Sequence, residues 1–152
     1  MEPAVFTTNS AEETSTLGEA MGKNLRGGEM IELVSDLGGG KTTLTQGLAK
    51  GFGSPDRVAS PSFTISREYT AGDKRIHHFD FYRLGEAGIM LDEIAELVND
   101  QNVVLVVEWA DVVADVLPLE RISIALLPVG DTARQVTITV PQKYDYIIEG
   151  IA

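Results

Sequence analysis

The segment Met30–Phe52 constrains the fold most, because three local patterns follow one another within it. It opens with MIELV, an apolar run that is typical of a buried strand. It closes with apolar side chains four residues apart at Leu44, Leu48 and Phe52, the spacing of one helix face. Between these runs lies SDLGGGKTT, whose end matches the phosphate-binding pattern G-x-x-x-x-G-K-S/T. Strand, glycine-rich loop and helix in this order predict an α/β fold with an anion site at a helix N-terminus.

The loop contains the residue types that a nucleoside triphosphate requires. Its glycines can turn through positive φ and direct backbone N–H groups at phosphates, a lysine can reach the β- and γ-phosphates, and a threonine hydroxyl can bind magnesium. Ser35 stands where the pattern has its first glycine, which a strand end with negative φ permits. The alternative is a glycine turn with an incidental Gly-Lys-Thr. We predict a nucleotide site formed by Gly38, Gly39, Gly40, Lys41, Thr42 and Thr43.

Carboxylates downstream of the loop are candidates for magnesium or water. VVLVVE is an apolar strand pattern that ends in Glu108, and α/β sheets bind ligands at the carboxyl ends of their strands. Asp80, in HFDFYR, follows another strand-like run. We predict Lys41, Asp80 and Glu108 as catalytic residues and Thr42 with Glu108 as magnesium ligands; a solvent-facing Glu108 or a turn-forming Asp80 is the alternative.

Three further features have both a structural and a functional interpretation. Ser62 and Thr64, in SPSFT, fit either a switch segment that senses the γ-phosphate or a turn beside a proline. His77 and His78 are adjacent, so on a strand they face opposite sides, which favours structural roles over a joint metal site. Trp109 fits either core packing or the wall of a partner or active site. Arg83 fits either a salt bridge or charge stabilisation at the site.

The remaining patterns predict one domain spanning residues 1–152. Ser10 and Glu13 have capping-box spacing at the start of a helix that extends to Leu25. A β-hairpin or meander follows residue 62, a short helix covers LDEIAELVND, and another covers Ala110–Leu117. RISIALL and QVTITV indicate a closing antiparallel pair. The tail from Pro141 has no clear pattern. We expect an α/β, P-loop NTPase-like three-layer fold with a mixed, largely parallel central sheet.

Composition excludes several classes of protein. The 152 residues contain no cysteine, which excludes disulfides and thiolate metal sites. The longest apolar run is far shorter than the roughly 20 residues of a membrane-spanning helix, and no export signal is visible, so we expect a cytoplasmic protein without membrane contact. The formal net charge of −11 disfavours unassisted binding of nucleic acid, whereas a local loop with magnesium can still hold a triphosphate.

Four stretches together resemble one family. DLGGGKTTLTQGL, SPSFT, HHFDFYRL and VVEWAD occur in the order and spacing of the bacterial tRNA threonylcarbamoyladenosine biosynthesis ATPase, the TsaE/YjeE family. The resemblance covers about Ser10 to Val113. The departure is Ser35, where the family usually has glycine.

The resemblance implies a small ATPase that uses ATP and Mg²⁺. It implies action with the proteins of a tRNA threonylcarbamoyl transferase complex, which modify adenosine 37 of tRNAs that read codons beginning with A. Contact with tRNA would then be indirect. Asp80, Tyr82, Arg83 and Trp109 match positions associated with activity in that family, and the adenine would lie near Ser10, Thr14 and Arg134.

Two rival interpretations stay open. A small-molecule kinase would share the loop but needs an acceptor pocket rich in arginine, and only 12 Lys and Arg occur in the chain. A nucleotide-dependent binding module without useful hydrolysis would also share the loop.

Overall fold

One seven-stranded sheet organises the computed structural model, which describes residues 3–35, 40–55, 66–80, 88–108 and 117–151. The strands are β1 Ala4–Thr8, β2 Met30–Val34, β3 Ser66–Ala71, β4 Lys74–Asp80, β5 Val103–Glu108, β6 Ile122–Pro128 and β7 Arg134–Thr139. The helices are α1 Ala11–Asn24, α2 Lys41–Phe52 and α3 Gly88–Val98, followed by a C-terminal 3₁₀ segment, Gln142–Ile148.

The sheet has the strand order β1-β7-β6-β2-β5-β4-β3. Its four central strands, β6, β2, β5 and β4, are parallel, and the antiparallel pairings join β1, β7 and β3 at the edges. This arrangement confirms the predicted α/β class and mixed sheet. Parallel neighbours direct their carboxyl ends to the same edge, so the ends of β2, β4 and β5 lie together.

Strand β5 is buried along its whole length and separates two hydrophobic cores. Val104 and Val106 pack on one face of the sheet with residues of α1 and α2. Val103, Leu105 and Val107 pack on the other face with Ile94 of α3. Helices therefore cover both faces, which gives the three layers expected from the sequence.

Helix α2 is held close to α1 by glycines on both helices. A Cβ atom added at Gly47 would lie 2.1 Å from the backbone oxygen of Ser15, and one at Gly18 would lie 2.4 Å from the backbone oxygen of Leu44. No side chain fits at these separations, so the backbones approach more closely than ordinary helix packing allows. This contact fixes α2, whose first residue is Lys41.

Most local predictions agree with the observed elements. Ser10 caps α1 by accepting the backbone N–H of Glu13 on its hydroxyl, as the capping-box spacing predicted. The hairpin is β3 and β4, and the closing pair is β6 and β7. The predicted helix Ala110–Leu117 lies outside the described residues except for Leu117. None of the helices within the described ranges is long and apolar enough to cross a membrane.

The tail without a clear pattern packs against the core through the 3₁₀ segment. Ile147 is fully buried in the core on the α1 side of the sheet. The Asn24 side-chain amide at the end of α1 donates to the backbone oxygens of Ile147 and Glu149, at 2.9 and 3.0 Å. These contacts hold the C-terminal segment against the end of α1.

Candidate functional site

The glycine-rich loop leads into α2 at the carboxyl edge of the sheet. Gly40 immediately precedes the helix with a φ of 100°, in the left-handed region that glycine adopts at little cost. Lys41, Thr42 and Thr43 form the first turn of α2, where the helix N-terminus provides backbone N–H groups and positive potential. Gly38 and Gly39 lie outside the described residues.

Lys41 and Glu108 form a buried ion pair across this edge. The Lys41 Nζ lies 3.3 Å from Oε1 of Glu108 and donates to the Ser35 backbone oxygen at 3.2 Å. The two side chains are only 7% and 4% exposed. The structure thus brings together the loop lysine and the strand-end carboxylate that the sequence singled out.

His78 contacts the other oxygen of the same carboxylate. Its Nε2 lies 2.5 Å from Oε2 of Glu108, and its Nδ1 lies 3.5 Å from the Tyr69 hydroxyl. His77 faces the opposite side of the sheet and stacks on Phe79, as the alternation of a strand predicts. No local sequence pattern indicates the contact between His78 and Glu108, because it depends on the pairing of β4 with β5.

The surroundings of Glu108 favour its ionised form. Burial alone would raise the pKa of this carboxyl group. The hydrogen bond and charge of His78, with the charge of Lys41, outweigh burial, so the pKa lies below its usual value. An ionised Glu108 can accept hydrogen bonds or bind a cation with either oxygen.

Asp80 lies beside Glu108 at the ends of neighbouring parallel strands. The two residues are paired in the register of β4 with β5. Asp80 is two residues beyond His78, so its side chain leaves the strand on the face that carries Glu108. Both predicted carboxylates therefore occupy the edge that the α2 N-terminus faces.

The donor atoms at this edge fit a magnesium-nucleotide complex. Within the described ranges, no three His, Asp or Glu side chains are grouped as an all-protein metal site requires. Magnesium held by nucleotide phosphates needs only one or two carboxylates and a hydroxyl, with water completing its octahedron. Thr42, Glu108 and Asp80 are the residues that could hold such a magnesium ion.

A cavity of about 90 Å³ opens beside the start of α2. It brings together four of the residues predicted to bind nucleotide, and its lining consists of Ala11, Thr14, Gly40, Thr43, Asp131, Thr132 and Arg134. Ser10 is not in this lining, and its hydroxyl caps α1. Sequence reasoning missed Asp131 and Thr132, although the turn signal in VGDTAR marks their loop.

Several candidates cannot be placed. The proposed switch residues Ser62 and Thr64 lie outside the described residues, as do Tyr82, Arg83 and Trp109.

Comparison with known proteins identifies the family. The sequence model of the family described as "Threonylcarbamoyl adenosine biosynthesis protein TsaE" matches residues 8–136. The chain belongs to the TsaE family. The match includes α2 and β5, with Lys41 and Glu108, and ends within β7.

Similar TsaE proteins span nearly the whole chain. A Bacillus subtilis protein named tRNA threonylcarbamoyladenosine biosynthesis protein TsaE is 35% identical over 153 residues, which cover 100% of this chain and 96% of the relative. A Streptomyces coelicolor protein of the same name is 40% identical and covers 81% of this chain and 87% of its own length. The crystal structure of Bacillus subtilis YdiB superposes with a TM-score of 0.78 at 33% identity and covers 97% of this chain and 93% of YdiB. This likeness confirms the predicted fold.

Proposed function

We propose that this TsaE-family protein binds and hydrolyses Mg·ATP and supports threonylcarbamoylation of adenosine 37 in tRNAs that read codons beginning with A. The observation that carries the proposal is the buried pair of Lys41 and Glu108 at the N-terminus of α2. The choice of pathway rests on the similar proteins from Bacillus subtilis and Streptomyces coelicolor, both of which are named for tRNA threonylcarbamoyladenosine biosynthesis.

The phosphates would bind where α2 begins. Backbone N–H groups of the first turn and the helix dipole attract negative charge there. The Lys41 ammonium would exchange its contact with Glu108 for the β- and γ-phosphates, which carry more negative charge. The cavity lined by Thr14, Thr43 and Arg134 would accept the nucleoside, since it opens beside Gly40.

Hydrolysis would depend on positioning and electrostatics, because the protein forms no covalent bond in such reactions. Thr42 and Glu108 would hold magnesium, whose positive charge would offset the negative charge that develops on the phosphate group. Asp80, beside Glu108, would orient the attacking water. Neither carboxylate needs to be protonated for these roles, which agrees with the lowered pKa of Glu108.

Partner proteins would carry the tRNA and the transferase chemistry. The chain's net charge of −11 opposes direct tRNA binding, so a transferase complex would supply that contact. We expect weak ATP turnover by the isolated protein, with faster turnover once a partner completes the site.

Three measurements test the proposal. Calorimetry measures ATP binding, and assays of ADP release and of tRNA threonylcarbamoylation are run with and without the partner proteins. Lys41→Ala removes a charge-assisted hydrogen bond worth about 1.5–3 kcal/mol, so ATP affinity should fall by at least about tenfold. Glu108→Ala should reduce turnover and magnesium dependence more than affinity for metal-free ATP.

Lys50→Ala is the matched control, because Lys50 lies on the same helix with its side chain 74% exposed. It should leave ATP affinity unchanged. The proposal fails if turnover stays at background under every condition and Lys41→Ala leaves tRNA modification intact. Phosphate transfer to a metabolite would instead indicate a kinase.

A further inference from the structure

The proposed reaction leaves His78 without a role, although it contacts the central carboxylate. His78 is fully buried on β4, and its Nε2 lies 2.5 Å from Oε2 of Glu108. A carboxylate oxygen only accepts hydrogen bonds, so Nε2 carries the proton and donates it. The two oxygens of Glu108 thus have different partners: Oε2 has His78, and Oε1 has Lys41.

The two partners of Glu108 differ in what nucleotide binding would do to them. Lys41 is on α2 at the phosphate site, so its ammonium would turn from Oε1 to the phosphates. His78 is on β4, whose pairing with Val106 of β5 fixes its backbone. Its ring is confined further by the Tyr69 hydroxyl, 3.5 Å from Nδ1. The contact to Oε2 would therefore persist when Oε1 became available.

We propose that His78 is the positioning residue of Glu108: its Nε2–H holds Oε2 at the sheet edge and keeps Oε1 directed at the α2 N-terminus. This inference rests on the proposed Mg·ATP function, because Oε1 is the oxygen that would bind magnesium. Without His78, a buried carboxylate that has lost Lys41 would have to turn toward another donor or toward solvent.

The neighbouring residue provides a matched control. His77 is also buried on β4, at 4% exposure, but it faces the opposite side of the sheet and stacks on Phe79. Replacing either histidine removes one buried imidazole from the same strand. Of the two histidines, His78 alone contacts Glu108, so its replacement should affect magnesium binding and that of His77 should not.

The test compares His78→Asn, His78→Gln and His77→Asn in the full chain. Glutamine places an amide N–H near the position of Nε2 and should keep the contact, whereas the asparagine amide is too short to reach Glu108. Binding of a fluorescent ATP analogue is measured without metal and across a magnesium titration, and kcat and KM are measured with the partner complex present.

Loss of a group that orients a metal ligand typically costs about 10–100-fold in metal affinity or activity. His78→Asn should raise the magnesium midpoint, which is the magnesium concentration at half-maximal nucleotide binding, by that factor. It should lower kcat by the same factor. Its affinity for metal-free nucleotide should change by less than about threefold, which is under 1 kcal/mol. His78→Gln should recover most of both losses, and His77→Asn should behave as the wild type does.

His78→Leu is a second loss variant if asparagine prevents folding, which circular dichroism and thermal unfolding detect. The inference is overturned if a folded loss variant keeps the wild-type magnesium midpoint and kcat. It is equally overturned if glutamine restores nothing or if neither loss variant folds. A wild type without magnesium-dependent ATP binding would instead refute the proposed function itself, so the two failures are distinguishable.

Discussion

Ser35 occupies the position at which phosphate-binding loops usually begin with glycine. Its backbone oxygen accepts the Lys41 Nζ at 3.2 Å, which is a contact that does not require a particular side chain. Any residue supplies that oxygen. We therefore expect Ser35→Gly to change ATP affinity by less than about threefold, measured by calorimetry beside Lys41→Ala. A gain of tenfold or more would mean that the missing glycine weakens binding.

We expect His77 to make the free energy of unfolding depend on pH. Burial lowers its pKa below the usual 6.5, although Glu68 and Glu93 act in the opposite direction from 3.5 and 3.8 Å. The unfolded chain therefore takes up the proton first as pH falls, and stability decreases from pH 6.5 down to the lower folded pKa. Urea unfolding should show that the free energy of unfolding of His77→Phe decreases less than that of the wild type over this pH range. Identical pH dependence in both proteins would contradict the assignment.

The positions of single residues were predictable from the sequence where the signal is local. Ser10 and Glu13 form their cap because both lie in one turn of the chain. Lys41 and Glu108 meet because a loop before a helix and an acid after a strand each have a fixed place in an α/β sheet. The contact of His78 with Glu108 joins two strands 30 residues apart, so no local pattern could reveal it.

The packing of α1 against α2 depends on glycines, although glycine has a low helix propensity. Alanine at Gly47 would gain about 1 kcal/mol of helix propensity, yet its Cβ would lie 2.1 Å from the Ser15 backbone oxygen. Since the backbones must separate, we expect Gly47→Ala to lower the free energy of unfolding by about 1–3 kcal/mol. Thr16→Ala, on the exposed face of α1, should stay within about 0.5 kcal/mol in the same urea titration. Equal stability of the two variants would refute the close approach.

The C-terminal 3₁₀ segment is attached through a buried carboxylate. Glu29, at 1% exposure, accepts the Tyr146 hydroxyl at 2.6 Å and the backbone N–H groups of Arg26 and Gly27. Burial and Glu29 raise the pKa of Tyr146, so the phenol stays a donor.

Tyr146→Phe removes one donor from this buried charge and should cost about 1–3 kcal/mol in thermal or urea unfolding. Tyr144→Phe is the control, because its hydroxyl bonds the neutral Gly28 oxygen at 3.4 Å. Similar losses in both variants would show that the carboxylate contact does not attach the tail. The 3₁₀ segment could not be predicted from a periodic pattern in QKYDYII, because it is held in place by tertiary contacts to α1 and Glu29.

The sequence was sufficient to predict the fold class of the protein but not the order of the strands in its sheet. Alternating strand and helix patterns indicated an α/β fold, and the continuous apolar run of β5 indicated a strand buried on both faces. The order could not be predicted, because the pairings of β2 with β6 and of β1 with β7 join segments far apart in sequence. Those choices are made by tertiary packing, which a single sequence does not display.

The charge of the whole molecule leads to a last prediction, about tRNA. With 23 Asp and Glu against 12 Lys and Arg, the average field around the protein repels a phosphate backbone. Proteins that bind nucleic acid nonspecifically reach dissociation constants of about 10⁻⁴–10⁻⁶ M, and they do so by neutralising phosphates with basic side chains. We therefore expect the isolated chain to bind tRNA more weakly than about 10⁻⁴ M in filter binding at physiological salt, with or without Mg·ATP. Retention of tRNA should require the partner complex. Saturable micromolar binding by the isolated chain, weakening steeply with added salt, would mean that a local basic surface overrides the net charge and that tRNA contact is direct.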